Sequence, residues 1–168
     1  METDNCIFFC GHKPNQYGVH IFSQWFPSEF TEQFEEDTLL TFSSAEQYMM
    51  AHKALLFGDG YYFSKIMETS NAYLIKKFGR QIRGFDPVVW DQHKFDIVTE
   101  GNRLKFNQNP ALMKRLVKTG SKTIVEAAHY DKVWGNGLTT EQSVNTPEED
   151  WPGQNLLGKA IMVVREEL

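Results

Sequence analysis

Two dipeptides, Asp86-Pro87 and Asn109-Pro110, constrain the fold of this chain more than any other sequence feature. Asp and Asn side chains accept hydrogen bonds from the unpaired amides at the start of a helix, and proline suits the first helical position because its missing amide is not needed there. Each dipeptide is followed by a helical pattern, and Gly120 ends the second one. The sequence therefore predicts two consecutive helices, capped by Asp86 and Asn109.

Further helices are predicted on both sides of this pair. Ser43 and Glu46 fit a capping box at the start of the first helix, and Gly58 ends it. The segments DGYYFSKIME and SNAYLIKKFGR predict two short helices. The C-terminal segment GQNLLGKAIMVVREEL carries an apolar stripe at helical spacing, although AIMVV also fits a buried strand. We favour the helix.

Strand signals lie mainly near the N-terminus. CIFFC and GVHIFSQWF are short, rich in β-branched and aromatic residues, and separated by turn formers, which predicts a hairpin. TLLTF and the segment that begins TIV are further strand candidates. No repeat or linker divides the chain. The predicted fold class is α+β: a mostly helical single domain, residues 1–168, with a small N-terminal sheet or hairpin.

Composition limits the possible functions. A formal net charge of -5 argues against a continuous basic groove for a nucleic-acid backbone. Cys6 and Cys10 form no metal-binding motif and are expected to be reduced thiols. The N-terminus lacks a signal-peptide pattern, and no apolar stretch is long enough to span a membrane. We expect a cytoplasmic protein without a metal, a cofactor, membrane association or an obligate protein partner.

Four groups of residues offer chemistry. Glu46 and Lys53 lie seven residues apart on the first helix, about 10 Å along one face, so their long side chains can reach a common point. The ordinary alternatives are a capping role for the glutamate and a solvated lysine. Trp90 and Lys105 fall on one stripe of the helix after Asp86, where a Trp is more often core than ligand platform.

The other two groups lie in the C-terminal third. In TIVEAAHYDKVWGNGL, Glu126 ends a strand, and Asp131 fits either an Asx-turn or a catalytic carboxylate. Trp134 is a packing or ligand-binding ring, and Gly135 suits a tight backbone. The segment GQNLLG, which precedes the C-terminal helix, offers backbone amides to a phosphate but matches no known phosphate-binding motif.

Taken in order, these blocks resemble the NADAR family, also called YbiA-like. The family pattern is matched, from residue 20 onward, at Glu46, Tyr48, Lys53, Trp90, Asp91, Lys105, Phe106, Glu126, Asp131, Trp134, Gly135, Gly137, Gly153, Asn155, Leu157, Gly158 and Arg165. Phe42 and Gln47 stand where the family usually has Trp and His, which bears on substrate choice more than on reaction class.

The resemblance implies an N-glycosidase that cleaves ribose from nitrogen. The implied substrates are a small-molecule N-riboside, such as a phosphoribosylamino-pyrimidine intermediate of riboflavin synthesis, or ADP-ribose attached to guanine, free or within nucleic acid. The resemblance assigns catalysis to Glu46, Lys53 and Asp131, with Lys53 as a nucleophile or an electrostatic anchor. It assigns substrate binding to Trp90, Lys105, Glu126, Trp134, Gly135, Gly153 and Asn155. The alternative is a non-catalytic module that binds ADP-ribose or a related nucleotide.

Overall fold

A computed structural model describes all residues from 1 to 168. It contains seven α-helices and four strands, which confirms the predicted mostly helical α+β class. In chain order these are β1 (Cys6–Phe9), β2 (Phe30–Glu35), β3 (Thr38–Phe42), α1 (Ala45–Leu56), α2 (Gly60–Met67), α3 (Ala72–Gly79), α4 (Pro87–Gln108), α5 (Pro110–Val117), β4 (Thr123–Glu126), α6 (Thr140–Val144) and α7 (Leu156–Glu166). Short 3₁₀ helices span Val19–Phe22 and Glu148–Asp150. No helix is long and apolar enough to cross a membrane.

The chain folds into two compact units. The central unit is Pro27–Pro110, and the terminal unit combines Met1–Phe26 with Ala111–Leu168. In the central unit, α1 packs against α2, α3 and α4, and the antiparallel hairpin of β2 and β3 lies beside α4. TLLTF is strand β3, as predicted. Because three helices surround α1, eight of its residues are buried, which places part of a polar helix in the interior.

The cap of α1 lies one residue later than predicted. Ser44 is the N-cap, and its hydroxyl accepts a hydrogen bond from the amide of Gln47. The side-chain oxygen of Gln47 accepts from the amide and the hydroxyl of Ser43. The predicted Ser43–Glu46 capping box is therefore wrong, because Gln47 occupies the capping position. Gly58 follows the helix with φ 69°, as expected of a helix-ending glycine.

The start of α4 confirms the Asp-Pro prediction, because the Asp86 carboxylate accepts from the amides of Val88 and Val89. Asn109 behaves differently from the prediction. Its side-chain amide donates to the carbonyls of Glu29 and Lys105, so it closes α4 instead of capping α5.

In the terminal unit, β1 pairs in parallel with β4, from Cys6 opposite Thr123 to Phe9 opposite Glu126. The predicted hairpin of CIFFC with GVHIFSQWF is wrong, because β1 takes its partner from the distant TIVE segment and Val19–Phe22 forms a 3₁₀ helix. The apolar side chains of that short helix are buried, so they satisfy the same burial requirement without a strand.

The C-terminal segment is the helix α7, as favoured from the sequence. Leu157, Ala160, Ile161 and Val164 form its buried stripe, and the helix packs against β4. These four residues lie on one face of a helix, so forming the helix buries all of them together. The β1–β4 pair and α7 lie on either side of the segment that contains Trp134 and Gly135 in the sequence, called the Trp-Gly segment below.

Candidate active site

Glu46 lies in the interior of the central unit. It occupies the first turn of α1 and is only 4% exposed. Since Ser44 and Gln47 make the capping hydrogen bonds, the ordinary structural role predicted for Glu46 does not apply. An interior carboxylate has to be stabilised by polar or charged groups, because moving a charge out of water is costly. This position therefore suits a carboxylate that has a chemical role.

Lys53 follows Glu46 two turns later on α1, and its half-buried amine contacts a carbonyl and two aromatic rings. Nζ donates a hydrogen bond to the carbonyl of Gly79 at 3.0 Å. It also lies 4.5 Å from the centre of the Phe85 ring and 5.5 Å from the Trp90 ring. A lysine with an acceptor on one side and aromatic faces on the other is held in place, unlike the solvated lysine that composition alone favours.

The surroundings of Lys53 lower the pKa of its amine. Burial is the main reason that the pKa of Lys53 lies below its ordinary value. The carboxylate of Glu46 acts in the opposite direction, and the guanidinium of Arg80 lowers the pKa further. The two predicted catalytic residues of α1 are therefore close enough to influence each other. A lysine that loses its proton more easily than usual is suited to nucleophilic chemistry.

The carbonyl that Lys53 contacts is placed by a close approach of two helices. A Cβ atom added at Gly79 would lie 1.9 Å from Sδ of Met50 on α1. A larger residue fits here only if Met50 moves, so glycine lets the last residue of α3 approach α1 closely enough for its carbonyl to meet Nζ of Lys53.

Phe85 is a residue that the sequence analysis missed. It is 44% exposed, yet its ring meets the ring of Phe57 edge-on as well as the amine of Lys53. The buried carboxylate of Asp59 fixes the segment before it, because it accepts from the amide of Arg83 at 2.8 Å and from the guanidinium at 2.6 and 2.9 Å. These bonds hold the pKa of Asp59 well below its usual range. A loop phenylalanine gives no periodic signal, so only the tertiary structure identifies it.

Lys105, near the end of α4, has no exposed surface. Burial lowers its pKa to about 7, and its amine lies 5.3 Å from the centre of the Phe106 ring. A completely buried lysine is rare. Its predicted role in substrate binding stays a prediction, but the environment is unlike that of a surface lysine.

In the terminal unit, Asp131 forms the turn that the sequence allowed as one alternative. Its Oδ1 accepts from the amides of Val133 and Trp134, both at 2.9 Å. This Asx-type arrangement sets the direction of the half-buried Trp134. The second oxygen, Oδ2, takes no part in the turn, so a turn role and a chemical role are compatible in the same side chain.

A ladder of hydrogen bonds joins the Trp-Gly segment to the segment before α7. The amides of Gly153 and Asn155 donate to the carbonyls of Asn136 and Gly135. The intervening Gln154 amide is also used within this ladder. The expectation that these amides form a phosphate cradle is therefore wrong, because they are already paired.

Glycine is required on both sides of this ladder. A Cβ at Gly153 would lie 2.5 Å from the Gly135 carbonyl oxygen. A Cβ at Gly135 would lie 2.8 Å from the carbonyl oxygen of Asp131. These contacts give both glycines a packing role, and their predicted part in substrate binding stays a prediction.

Asn155 connects the ladder to β4 through its side chain. It is 1% exposed and adopts a left-handed conformation with φ 50°. Its Oδ1 accepts from the amide of Glu126, and its Nδ2 donates to the carbonyl of Ile124. Both polar groups of the side chain are thus used inside the fold, which gives Asn155 a structural role whatever it contributes to substrate binding.

Glu126 ends β4 near two further polar groups that sequence reasoning missed. The hydroxyl of Tyr130 donates a hydrogen bond to the sulfur of Cys10, which lies just after β1. Burial raises the pKa of both groups, to about 12 for Tyr130, and the negative charge of Glu126 adds to each shift. The two groups are therefore held in their neutral, hydrogen-bonding forms beside this carboxylate.

The predicted site residues thus form two sets. The central unit brings together Glu46, Lys53 and Trp90, and it also contains the buried Lys105. The terminal unit brings together the remaining predicted residues, which are Glu126, Asp131, Trp134, Gly135, Gly153 and Asn155. Nowhere in the chain do three His, Cys, Asp or Glu side chains form a group that could hold a metal ion.

The fold places the chain in a class of α+β proteins with known structure. The solved structure of the Escherichia coli protein YbiA superimposes with a TM-score of 0.74, covers 99% of this chain and 86% of that protein, and has 24% sequence identity. At that identity the likeness concerns the fold alone. The particular family follows from the sequence: the NADAR domain profile matches residues 8–168, and the chain belongs to this family.

Several proteins with different names are similar to this chain in sequence. An N-glycosidase of Acanthamoeba polyphaga mimivirus is 64% identical over 99% of this chain and 98% of its own length. The protein irg-1 of Caenorhabditis elegans is 35% identical over 88% of this chain and 75% of its own length. A riboflavin biosynthesis protein of Vibrio vulnificus is 30% identical over 74% of this chain and 30% of its own length. The resemblance to the NADAR family stated from the sequence is therefore confirmed.

Proposed function

We propose that this chain hydrolyses the bond between the anomeric carbon of a ribose and a nitrogen atom, with Glu46 and Lys53 at the centre of the reaction. The observation that carries this proposal is the interior carboxylate of Glu46 on the same helix as a lysine whose pKa is lowered. The reaction class rests on more than geometry. Full-length identity of 64% to a named N-glycosidase shows that the chain is an N-glycosidase, and ribose as the sugar is part of the proposal.

Cleavage of a ribosyl C–N bond requires a proton for the departing nitrogen and stabilisation of positive charge at the anomeric carbon. We assign proton transfer to Glu46, and the resemblance to the NADAR family implies the same kind of role for Asp131. The interior carboxylate of Glu46 suits this task, because it is shielded from water and close enough to Lys53 to influence its charge. Trp90 and Trp134 supply flat apolar faces for the base or the sugar.

Lys53 offers a covalent route. Protonation of the ring oxygen opens the ribose, and the neutral amine of Lys53 adds to the anomeric carbon. The base then leaves with a proton, and the carbon is held as a Schiff base on Nζ. Water adds to this carbon, the C–N bond to the lysine breaks, and the sugar leaves as its free aldehyde with the amine restored. The lowered pKa of Lys53 supports this route, because only the neutral amine can add to carbon.

Two substrate classes follow from the proposal. One is ADP-ribose attached to guanine, free or within nucleic acid. The other is a phosphoribosylamino-pyrimidine, which is consistent with the relatives named as riboflavin biosynthesis proteins. The exposed Phe85 beside Lys53 suits either, since both present a flat heterocycle next to the ribose.

The test is a chromatographic product assay of the purified chain against both substrate classes. Glu46→Gln, Lys53→Ala and Asp131→Asn are each expected to reduce release of base or ribosyl product by at least about 100-fold, the usual size of an acid–base or nucleophilic contribution. Glu141→Gln is a matched control, because Glu141 is an exposed helical glutamate. Wild-type rates in the three folded variants would exclude the assignment. Borohydride trapping of a sugar on Lys53 separates the covalent route from direct hydrolysis.

The alternative is a module that binds ADP-ribose without turning it over. The same acidic, basic and aromatic groups suit binding, so affinity alone does not distinguish the two functions. Tight binding of ADP-ribose with no release of product from either substrate class would favour the binding module.

A further inference from the structure

A positively charged surface lies on the side of α3 that faces away from its apolar residues. Tyr73, Lys76, Lys77 and Arg80 follow the spacing of one helical face. Together with Gln81 they line a cavity of about 300 Å³. We call this set of five residues the α3 basic surface.

The local charge is positive, although the chain as a whole is acidic. Residues 69–85 contain four Lys and Arg residues and no Asp or Glu, whereas the whole chain has 17 basic and 22 acidic residues. Arg83, one of the four, is held by Asp59, and the other three line the cavity. A concentration of positive charge attracts anions to that place.

The α3 basic surface adjoins the predicted catalytic lysine. Arg80 directly follows Gly79, whose carbonyl accepts the hydrogen bond from Lys53. Arg80 is also close enough to lower the pKa of that lysine. From Arg80 the surface extends about 10 Å along α3 to Tyr73, which is long enough for a phosphate group and the sugar or base next to it.

Tyr73 adds an aromatic face to these charges. It is 69% exposed, so its ring is available to a ligand. Exposed aromatic rings next to basic side chains bind the bases and phosphates of nucleotides, because the ring stacks on the base while the cations meet the phosphates. No other residue of the cavity lining is aromatic or acidic.

We propose that the α3 basic surface is a subsite for a phosphate group of the substrate, next to the ribosyl group that reacts at Lys53. This inference rests on the proposed function for the position of the ribose. The phosphate comes either from a free nucleotide or from a nucleic-acid strand that carries the modified base. Lys77 and Arg80 contact the phosphate oxygens, and Tyr73 covers the adjacent sugar or base.

Equilibrium titration tests the subsite without depending on turnover. The probes are ADP-ribose, a single-stranded oligonucleotide, and adenosine, which lacks a phosphate. Lys77→Ala is expected to weaken binding of the phosphorylated probe about 2- to 5-fold, the effect of one exposed ion pair. It should leave adenosine binding unchanged, and Lys77→Arg should restore the affinity. Replacing both Lys77 and Arg80 with Ala should weaken binding about 10-fold.

Lys114→Ala is the matched control. Lys114 is also an exposed lysine in the last turn of an eight-residue helix, so it has the same favourable position with respect to the helix dipole. It should bind all probes as the wild type does. A loss confined to ADP-ribose identifies a free nucleotide as the source of the phosphate. A loss confined to the oligonucleotide, with a lower salt dependence, identifies a nucleic-acid strand.

The inference is overturned if Lys77→Ala and Lys114→Ala bind every phosphorylated probe as the wild type does, or if no phosphorylated probe binds better than adenosine. A wild-type chain that binds phosphorylated probes through Lys77 but releases no product would instead refute the proposed function and leave the subsite intact.

Discussion

Asn155→Ala gives a sharp test of whether Asn155 belongs to the fold or to the substrate-binding surface. The side chain is buried, and it satisfies the amide of Glu126 and the carbonyl of Ile124 at 3.0 and 2.9 Å. Truncation to Ala leaves both backbone groups without this partner, at a cost of about 1–3 kcal/mol each. The left-handed backbone adds about 1 kcal/mol, because Ala tolerates this conformation less well than Asn. We expect a loss of about 3–7 kcal/mol in the free energy of unfolding.

The assay is urea denaturation of the wild type and of three variants. Asn155→Gly loses the same hydrogen bonds but tolerates the left-handed backbone, so it should be about 1 kcal/mol more stable than Asn155→Ala. Asn155→Asp keeps an acceptor for Glu126 but places a carboxylate against the Ile124 carbonyl. Its deficit should shrink as the pH falls, because the protonated acid can again donate to that carbonyl. If the free energy of unfolding of Asn155→Ala lies within about 0.5 kcal/mol of the wild-type value while activity is lost, the structural role is refuted.

Three further predictions follow from buried or closely packed groups. Burial lowers the pKa of Lys105 to about 7, so between pH 7 and 10 the unfolded chain binds more protons than the folded chain. The free energy of unfolding should therefore rise with pH over this range, by at most about 1.4 kcal/mol per pH unit. Lys105→Met should flatten that rise in denaturation curves measured across this range, and an unchanged slope would contradict the low pKa. Gly79→Ala should lower the free energy of unfolding by about 1–3 kcal/mol, because the added methyl group clashes with Met50. Adding Met50→Ala to the same chain should recover part of this loss, and a double-mutant cycle measures the recovery. Asp59→Ala should release Arg83 and increase amide hydrogen exchange over residues 80–86, and unchanged protection there would show that the carboxylate is not what holds this segment.

The helices were predictable because their signals are local. Asp86 and Pro87 mark the start of α4 directly, and the apolar stripe of α7 identifies that helix. The cap of α1 was misplaced for an equally local reason. The sequence SSAEQ contains two overlapping capping patterns, one from Ser43 to Glu46 and one from Ser44 to Gln47. Both patterns fit the first turn. The second is adopted because Gln47 also has distant partners: its Nε2 donates to the carbonyls of Ile66 in α2 and of Thr69 after it.

The strands and the surroundings of the site were less predictable because they depend on distant partners. β1 pairs with a strand more than 100 residues later, so no pattern within the N-terminal segment distinguishes this parallel pair from a hairpin. The same holds for Phe85, which lies beside Lys53 in a segment where Asp59 binds Arg83. The residue types of the candidate site could be read from the sequence, whereas the rings and carbonyls that set the chemistry of Lys53 required the tertiary structure.

The hydrogen bond from Lys53 to Gly79 bears on both possible states of the amine. A protonated lysine is favoured at the carbonyl end of a helix, where α3 presents the oxygen of Gly79. A neutral amine can keep the same bond with one of its two hydrogens and still direct its lone pair elsewhere. The contact therefore holds Nζ in position without requiring the charge that would prevent attack on carbon. Since burial and Arg80 already favour loss of the proton, and Glu46 favours its retention, small changes at these neighbours should shift the rate–pH profile of the reaction more than they shift the position of the amine.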